Sequence, residues 1–325
     1  MSTATARAHP NIAFIKYWGN ADDDLRLPVN SSISMNLDGL YAETTVTWDQ
    51  SLSKDTLKLN ESKETGQALT RVANHMDRIR TRLNSATFAH IESQNNFPTG
   101  TGIASSAAAF AALTVAAFSA ANATLSEREL STIARIGSGS ASRSVPSGFV
   151  EWYAGDSHET SYAMSVAAPN HWDLVDVIAI VSEQHKKTGS QAGHPTAKTS
   201  DLQAARVAGA QKRLDTVRQA ILDKDFLTFS EIVEEDSNLM HAVMMTSKPP
   251  LFYWQPTTLT IMELVRTWRQ EGLSVCYTLD AGPNVHCICT RNDAPIVRDR
   301  LTQLSGVLDI KVAGVGGAAH TIHKS

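Results

Sequence analysis

The strongest constraint on the fold is a glycine-bearing turn, residues 97–108, that runs directly into an alanine-rich segment. The turn contains Pro98, Gly100 and Gly102, and almost every residue of the following segment, residues 107–122, is small or apolar. A helix that is apolar on all sides is buried, so this segment predicts a core helix. Since the first turn of a helix has unpartnered N–H groups and partial positive charge, a glycine loop leading into it can bind phosphate. A plain connection to a buried helix is the alternative that this segment leaves open.

The length of the chain predicts two lobes. At 325 residues it exceeds the usual size of a single hydrophobic core, although one large α/β unit is also possible. The polar stretch of residues 184–199 marks the strongest shift in composition. We therefore expect an N-terminal domain of residues 1–183 and a C-terminal domain of residues 184–325.

Charge and hydropathy argue against two classes of partner. The formal net charge is −4, and no run of Lys and Arg is long enough to suggest a nucleic-acid site. No stretch of about 18 apolar residues is present, as a membrane span requires, and the N-terminus does not resemble a signal peptide. We therefore expect a cytoplasmic protein. Its three cysteines, Cys276, Cys287 and Cys289, lack zinc-ligand spacing and are expected to be reduced and buried.

A lysine and an aspartate stand at the ends of two apolar segments. Lys16 follows the strand-like run of residues 12–15, and Asp280 follows the similar run of residues 276–279. Taken separately, Lys16 is equally consistent with a surface lysine and Asp280 with a turn aspartate. Placed side by side they would keep the carboxylate charged, and it could orient or deprotonate a hydroxyl. Together with a phosphate site, such a pair describes phosphoryl transfer to an alcohol.

A second loop is rich in hydrogen-bond donors. Residues 137–144 contain four serines and two glycines around Arg143, whose planar guanidinium suits a carboxylate or a phosphate. A flexible linker is the alternative, but the strand-like run of residues 148–152 follows at once. We expect this loop to bind an anion. Just before it, Ser126 and Glu129 predict a capping box at the start of a helix that ends near Gly137.

Several of these segments resemble one known family. Residues 98–108 are similar to the ATP-binding loop of the GHMP kinase superfamily, with Ile103 where leucine is usual. Residues 11–19, 30–34, 137–144 and 277–284 together resemble the mevalonate diphosphate decarboxylase branch of that superfamily. The resemblance implies an α+β, two-lobed GHMP kinase-like fold. A deep cleft would separate an N-terminal α/β lobe from a C-terminal ferredoxin-like lobe.

The resemblance also implies a reaction. An enzyme of this family uses ATP and Mg²⁺ to phosphorylate the tertiary 3-hydroxyl of a phosphorylated mevalonate, and loss of that phosphate with CO₂ leaves an isopentenyl product. Asp280 would orient or deprotonate the hydroxyl, Lys16 would pair with Asp280, and Arg143 would hold the departing carboxylate. The implied nucleotide-binding residues are Ser93, Asn95, Pro98, Gly100, Gly102, Ser105 and Ser106, the last two also candidates for contact with Mg²⁺. The implied substrate-binding residues are Tyr17, Ser138, Gly139, Ser140 and Arg143.

Two departures from the family pattern bear on the substrate. Asn20 stands where the diphosphate enzymes usually have lysine, and residues 193–196 read Gly-His-Pro-Thr where those enzymes offer a serine or similar donor. Residues 4–10, 253–256 and 315–318 also look more like decarboxylases that act on mevalonate 5-phosphate. The first expectation is therefore (R)-5-phosphomevalonate, giving isopentenyl phosphate, with 5-diphosphomevalonate as the alternative.

Other functions remain as further alternatives. A small-molecule kinase would produce ADP without CO₂. A metabolite sensor or an RNA-binding module belongs to a different class; the retained Lys16, Arg143 and Asp280 argue against the first, and the acidic charge against the second. A homodimer is the usual expectation for soluble enzymes of this kind.

Overall fold

The computed structural model of the chain describes residues 2–97, 105–184 and 189–325. The candidate nucleotide-binding residues Pro98, Gly100 and Gly102 lie outside these described ranges.

Strands and helices alternate in blocks along the described chain. The strands are β1 (Ser2–Ala8), β2 (Asn11–Ile15), β3 (Asn20–Asp22), β4 (Leu27–Pro28), β5 (Ser32–Asn36), β6 (Ala42–Asp49), β7 (Thr56–Leu59), β8 (Ser62–Glu64), β9 (Phe88–Asn95), β10 (Phe149–Trp152), β11 (Ala163–Ala167), β12 (Leu174–Ile180), β13 (Val275–Thr278), β14 (Val285–Thr290), β15 (Asp309–Gly314) and β16 (His320–Lys324). The α-helices are α1 (Gln67–Leu83), α2 (Ser105–Ala120), α3 (Glu127–Gly137), α4 (Ser190–Gly193), α5 (Gln203–Asp223), α6 (Phe226–Thr246), α7 (Pro256–Gln270) and α8 (Ala294–Thr302). Two 3₁₀-helices span Gly139–Ser144 and His194–Thr199.

The strands form separate sheets. The largest has the order β16-β1-β6-β9-β7-β8 and is antiparallel except for the β7–β9 pair. A second sheet has the order β11-β10-β5-β2 and a third the order β13-β14-β12-β15, both antiparallel. The short strands β3 and β4 form a hairpin. Helices therefore pack on sheets throughout the described chain, as the α+β expectation requires.

Helix α2 is the buried helix that the sequence predicts. Alanines on all its sides are fully buried, and it packs in one apolar cluster with residues of β1, β6 and β9. Trp48 of β6 donates its indole N–H to the carbonyl of Ala117 at 3.0 Å. Because small side chains let the helix lie close to the sheet, its N-terminus is fixed on a rigid support.

A second apolar cluster joins distant parts of the chain. It brings Phe14 and Ile33 of the second sheet together with Ile178 of the third, and with Leu214 and Phe229 of α5 and α6. The rings of Phe14 and Phe229 meet edge to face, with centroids 4.8 Å apart. This packing fixes the end of β2, and hence Lys16, relative to the third sheet.

Two predicted segments differ from the structure. Residues 184–199, expected as a polar loop, contain α4 and a 3₁₀-helix among their described residues. The local pattern of residues 310–322 predicts one strand with a turn, but this segment is divided between β15, paired with β12, and β16, paired with β1. The turn at residues 314–317 redirects the chain from one sheet to another, which a local hydrophobic pattern does not encode. The domain boundary at residues 183 and 184 stays a prediction.

Two smaller expectations can be compared directly. Cys276, Cys287 and Cys289 are free and buried, as predicted. Among the described residues, no helix is long and apolar enough to cross a membrane.

Candidate active site

A cleft of about 1460 Å³ contains most of the residues that the sequence singles out. Its walls come from the end of β2, the N-terminal part of α2, helix α1 and the loop after α3. The described candidates that line it are Lys16, Tyr17, Ser93, Asn95, Ser105, Ser106, Ser138, Ser140, Arg143 and Asp280.

Lys16 and Asp280 form a direct ion pair across this cleft. Lys16 Nζ donates to Asp280 Oδ1 at 2.8 Å, and the Lys16 side chain is 1% exposed against 26% for Asp280. The backbone N–H of Lys16 donates to Asp236 Oδ2 at 2.6 Å, and Asp236 also accepts from Arg213 at 2.7 Å. The lysine is therefore held in place, while the carboxylate remains accessible to a ligand.

The ion pair sets the protonation of both groups. Burial alone would raise the pKa of Asp280, but the adjacent Lys16 outweighs it and the pKa lies below its ordinary value of 3.8. Burial lowers the pKa of Lys16 from 10.5, and the negative charge of Asp280 opposes this effect. Asp280 is consequently a carboxylate at neutral pH, able to accept a hydrogen bond from a hydroxyl.

Arg143 is buried beside this pair. Its Nη1 donates to Ser32 Oγ at 2.7 Å and its Nε to Asn11 Oδ1 at 3.2 Å. Within the described part of the chain, Nη2 has no hydrogen-bond partner, and the residue lines the cleft. Burial lowers the pKa of Arg143 to about 10, so it keeps its charge at neutral pH. The arrangement leaves one edge of the guanidinium for an anion.

The loop after α3 lies against Tyr17. Ser138 caps the C-terminus of α3, and the carbonyl of Ser140 accepts a hydrogen bond from Asn11 Nδ2 at 3.0 Å. A Cβ on Gly139 would lie 2.5 Å from a ring carbon of Tyr17, so only glycine allows this close approach. The Tyr17 hydroxyl donates to Asn20 Oδ1 at 2.5 Å.

The candidate nucleotide wall combines β9 with the start of α2. Ser93 Oγ lies 2.9 Å from Thr44 Oγ1, and Asn95 Oδ1 is buried without a hydrogen-bond partner in the described chain. Ser105 and Ser106 are the first residues of α2. An unpartnered buried acceptor is costly, so a ligand N–H donor at Asn95 would satisfy it.

Three arginines that line the cleft were not predicted from the sequence as site residues. Arg26 lies between β3 and β4, whereas Arg71 and Arg78 both lie on α1, and all three line the cleft. Arg71 donates to the carbonyl of Gly137 at 2.9 Å and to Ser106 Oγ at 3.4 Å, and burial lowers its pKa to about 10. The partner groups lie far along the chain, so no motif or spacing signals these contacts.

The two sequence departures have different structural outcomes. Asn20 joins Tyr17 to Asp23, donating from Nδ2 to Asp23 Oδ1 at 2.8 Å. Residues 189–192, rather than the expected residues 193–196, line the cleft, and Ser190 supplies a hydroxyl there. His194 instead accepts from the backbone N–H of Gly19 at 3.0 Å and packs against Tyr17 and Trp18. The sequence argument from residues 193–196 therefore does not apply to the cleft, which these residues do not line; the Thr196 hydroxyl donates to the carbonyl of Gly193 at 2.8 Å.

Comparisons with known proteins agree along most of the chain. Residues 8–163 match the family described as diphosphomevalonate decarboxylase-like N-terminal domain. Residues 176–312 match the family described as mevalonate 5-diphosphate decarboxylase C-terminal domain. A diphosphomevalonate decarboxylase of Candida albicans is 42% identical over 302 residues, which cover 87% of this chain and 83% of that protein.

Solved structures give the same result and confirm the GHMP kinase-like fold. Mevalonate diphosphate decarboxylase from Staphylococcus aureus superposes with a TM-score of 0.94 at 38% identity, covering 99% of this chain and 98% of the other. A protein designated MDDEF, in complex with MVAPP, AMPPCP and magnesium, superposes with a TM-score of 0.93 at 36% identity, covering 99% of both chains. The chain therefore belongs to the diphosphomevalonate decarboxylase family.

Proposed function

We propose that the chain is an ATP-dependent decarboxylase that converts 5-diphosphomevalonate into isopentenyl diphosphate, ADP, phosphate and CO₂. The observation that carries this proposal is the convergence of Lys16, Asp280 and Arg143 in one cleft with the N-terminus of α2. Phosphoryl transfer alone would need Lys16, Asp280 and a phosphate site. Arg143 adds a buried cation beside them, which suits a substrate that carries a carboxylate.

The comparisons favour the diphosphate over the monophosphate that the sequence analysis placed first. Relatives in Candida albicans and Saccharomyces cerevisiae are both named diphosphomevalonate decarboxylase, at 42% and 37% identity. The structural argument from residues 193–196 also fails, because residues 189–192 line the cleft instead. The 5-phosphomevalonate expectation is therefore not supported. The neutral Asn20 keeps it as the second candidate.

The residues present fit a nucleotide and a magnesium ion. Ser105 and Ser106 place hydroxyl oxygens at the N-terminus of α2, where phosphate is favoured, and the guanidinium of Arg71 lies beside Ser106. The unpartnered Asn95 Oδ1 suits an N–H donor of a purine base. Hydroxyl oxygens are hard ligands that suit Mg²⁺, which would neutralise charge on the transferring phosphate.

Asp280 acts first in the proposed reaction. Its carboxylate accepts the proton of the 3-hydroxyl, or orients that hydroxyl, as the hydroxyl oxygen bonds to the terminal phosphorus of ATP and ADP leaves. Lys16 keeps the carboxylate ionised and limits its movement, because its Nζ lies 2.8 Å from Asp280 Oδ1. Positioning by this pair, rather than covalent chemistry, supplies the rate enhancement.

Arg143 acts on the carboxylate that departs. Its anchored guanidinium holds this group in one orientation while the bond from the 3-carbon to the phosphorylated oxygen breaks. The electron pair of the carbon–carboxylate bond then forms the double bond as CO₂ leaves, so phosphate and CO₂ are released together. Because the carboxylate loses its negative charge as CO₂ leaves, the role of the buried cation is to bind and orient this group rather than to stabilise the transition state.

Steady-state comparison of the two substrates tests the proposal. We expect the purified chain to release CO₂ in an ATP-dependent manner, with a higher kcat/KM when the substrate is 5-diphosphomevalonate than when it is 5-phosphomevalonate. A preference for the monophosphate would overturn the substrate assignment, and formation of ADP without CO₂ from either would overturn decarboxylation. A cytoplasmic location and a homodimer remain predictions.

A further inference from the structure

Arg26 is an anchored cation in the cleft that the proposed reaction does not use. It lies between β3 and β4, is half-buried, and lines the cleft. Its Nε donates to the carbonyl of Ile136 at 2.8 Å, and no other hydrogen bond or ion pair of its guanidinium occurs among the described residues. The two Nη groups are therefore available to an acceptor that the described chain does not supply.

The hairpin that carries Arg26 is fixed to the end of α3 by two hydrogen bonds. Besides the bond from Arg26 to Ile136, Arg135 Nε donates to the carbonyl of Leu25 at 3.0 Å. Arg26 itself has φ of 49°, in the left-handed region that a bulky residue adopts only when its surroundings hold it there. The position of the guanidinium is thus set before any ligand binds.

The contact with Ile136 places Arg26 beside the candidate substrate-binding loop. Burial raises the pKa of Tyr17, and the charge of Arg26 is the largest influence in the opposite direction. Ile136, its anchor, comes just before the candidate substrate-binding residues Ser138, Gly139 and Ser140. The other titratable groups near Arg26 are Asp23 and three residues of α1, namely Arg71, His75 and Arg78. Asp23 forms no ion pair with Arg26 in the described chain, and the positive charges of Arg71 and Arg78 leave this part of the cleft short of anions.

The same region lacks the cation expected after Gly19. Asn20 is neutral, and both ends of its amide are engaged, with Tyr17 and with Asp23. A half-buried arginine whose two Nη groups have no partner in the described chain can bind a doubly charged oxyanion by donating two parallel hydrogen bonds to it. We propose that Arg26 binds the terminal phosphate of a 5-diphosphate substrate and so determines selectivity for the diphosphate over the monophosphate.

This inference rests on the proposed function and can be tested separately from it. The variants are Arg26→Gln, which removes the charge, and Arg26→Lys, which keeps it without the fork. Arg298→Gln is the matched control, because Arg298 is exposed and its guanidinium forms hydrogen bonds and an ion pair only with Asp299 in the described chain. Steady-state kinetics of each variant give the Michaelis constants for the diphosphate substrate, for the monophosphate substrate and for ATP.

The expected result is selective. Loss of a charge-assisted contact raises the Michaelis constant for the diphosphate about 10- to 100-fold in Arg26→Gln, with Arg26→Lys in between. The Michaelis constants for the monophosphate and for ATP stay within about threefold, and Arg298→Gln matches the wild type. The Michaelis constant does not depend on the concentration of folded enzyme, so a partly unfolded preparation still reports selectivity.

Two outcomes separate this inference from the proposed function. Equal rises in the Michaelis constants for both mevalonate substrates, or a rise for ATP alone, would overturn the role of Arg26 and leave the decarboxylase assignment intact. A wild-type enzyme without turnover of the diphosphate would remove the proposed function itself, and this inference with it.

Discussion

Replacement of Asp280 by asparagine removes the carboxylate at the centre of the proposed reaction while keeping its shape. Lys16 Nζ lies 2.8 Å from Asp280 Oδ1, and Lys16 is only 1% exposed. A positioned general base contributes about 10²- to 10⁴-fold to a rate, so we expect kcat to fall by at least about 100-fold. The ATP-binding residues lie on other elements, and the Kd of ATP should change less than about threefold.

The same substitution has a predictable effect on stability. Breaking a buried ion pair by removing one partner costs about 3–5 kcal/mol, because the other charge is left buried. For 325 residues the entropy of unfolding is about 0.7 kcal/mol per kelvin, so Tm should fall by about 4–7 °C.

A double-mutant cycle separates catalysis from folding. Lys16→Met and the double variant Lys16→Met/Asp280→Asn complete the cycle with Asp280→Asn. Since the double variant leaves no unpaired buried charge, its Tm should recover most of the loss seen in Asp280→Asn. Its turnover should remain as low as that of Asp280→Asn.

The assays are CO₂ release, ATP titration and thermal unfolding on all four proteins. Turnover of Asp280→Asn within tenfold of the wild type would refute the assigned role of the carboxylate. Recovery of turnover together with Tm in the double variant would show that the pair is structural only.

Three further predictions follow from single contacts. Arg143→Gln should raise the Michaelis constant for the mevalonate substrate about 10- to 100-fold, because it removes the cation that holds the substrate's carboxylate. The Michaelis constant for ATP should stay unchanged, and equal changes in both constants would contradict this role. Asn95→Ala should raise the Michaelis constant for ATP about tenfold and leave that for the mevalonate substrate unchanged, in the same kinetic assay. Burial lowers the pKa of His75 and of His241 to about 3 from 6.5. Below pH 6.5 the unfolded chain binds protons at these two histidines that the folded chain does not bind. The free energy of unfolding therefore decreases as the pH is lowered, by about 3 kcal/mol for the two groups together between pH 7.5 and pH 5.5. Urea unfolding at pH 7.5 and 5.5 measures this loss, and His75→Gln should roughly halve it.

Local patterns in the sequence predicted the elements that carry the site. The apolar run of residues 12–15 corresponds to β2, which ends just before Lys16, and the Ser126–Glu129 capping box starts α3 as expected. The uniformly apolar segment after the glycine turn is the buried helix α2. These features depend on neighbouring residues, which is why periodicity and capping rules find them.

Contacts between segments that lie far apart in the sequence were harder to predict. The Lys16–Asp280 pair spans 264 positions and was expected only as a possibility, strengthened by resemblance to a family. The anchoring of Lys16 by Asp236, and of Arg26 by the carbonyl of Ile136, has no local signature because each joins different elements. The pairing of β16 with β1 was missed for the same reason.

The stoichiometry of products from wild-type enzyme tests the central claim most directly. Incubated with 5-diphosphomevalonate, ATP and Mg²⁺, the chain should release ADP, phosphate and CO₂ in equal amounts, and omission of ATP should abolish CO₂ release. ADP formed without CO₂ would show a kinase that stops at the phosphorylated alcohol. CO₂ released without ATP would contradict the coupling of phosphoryl transfer to decarboxylation.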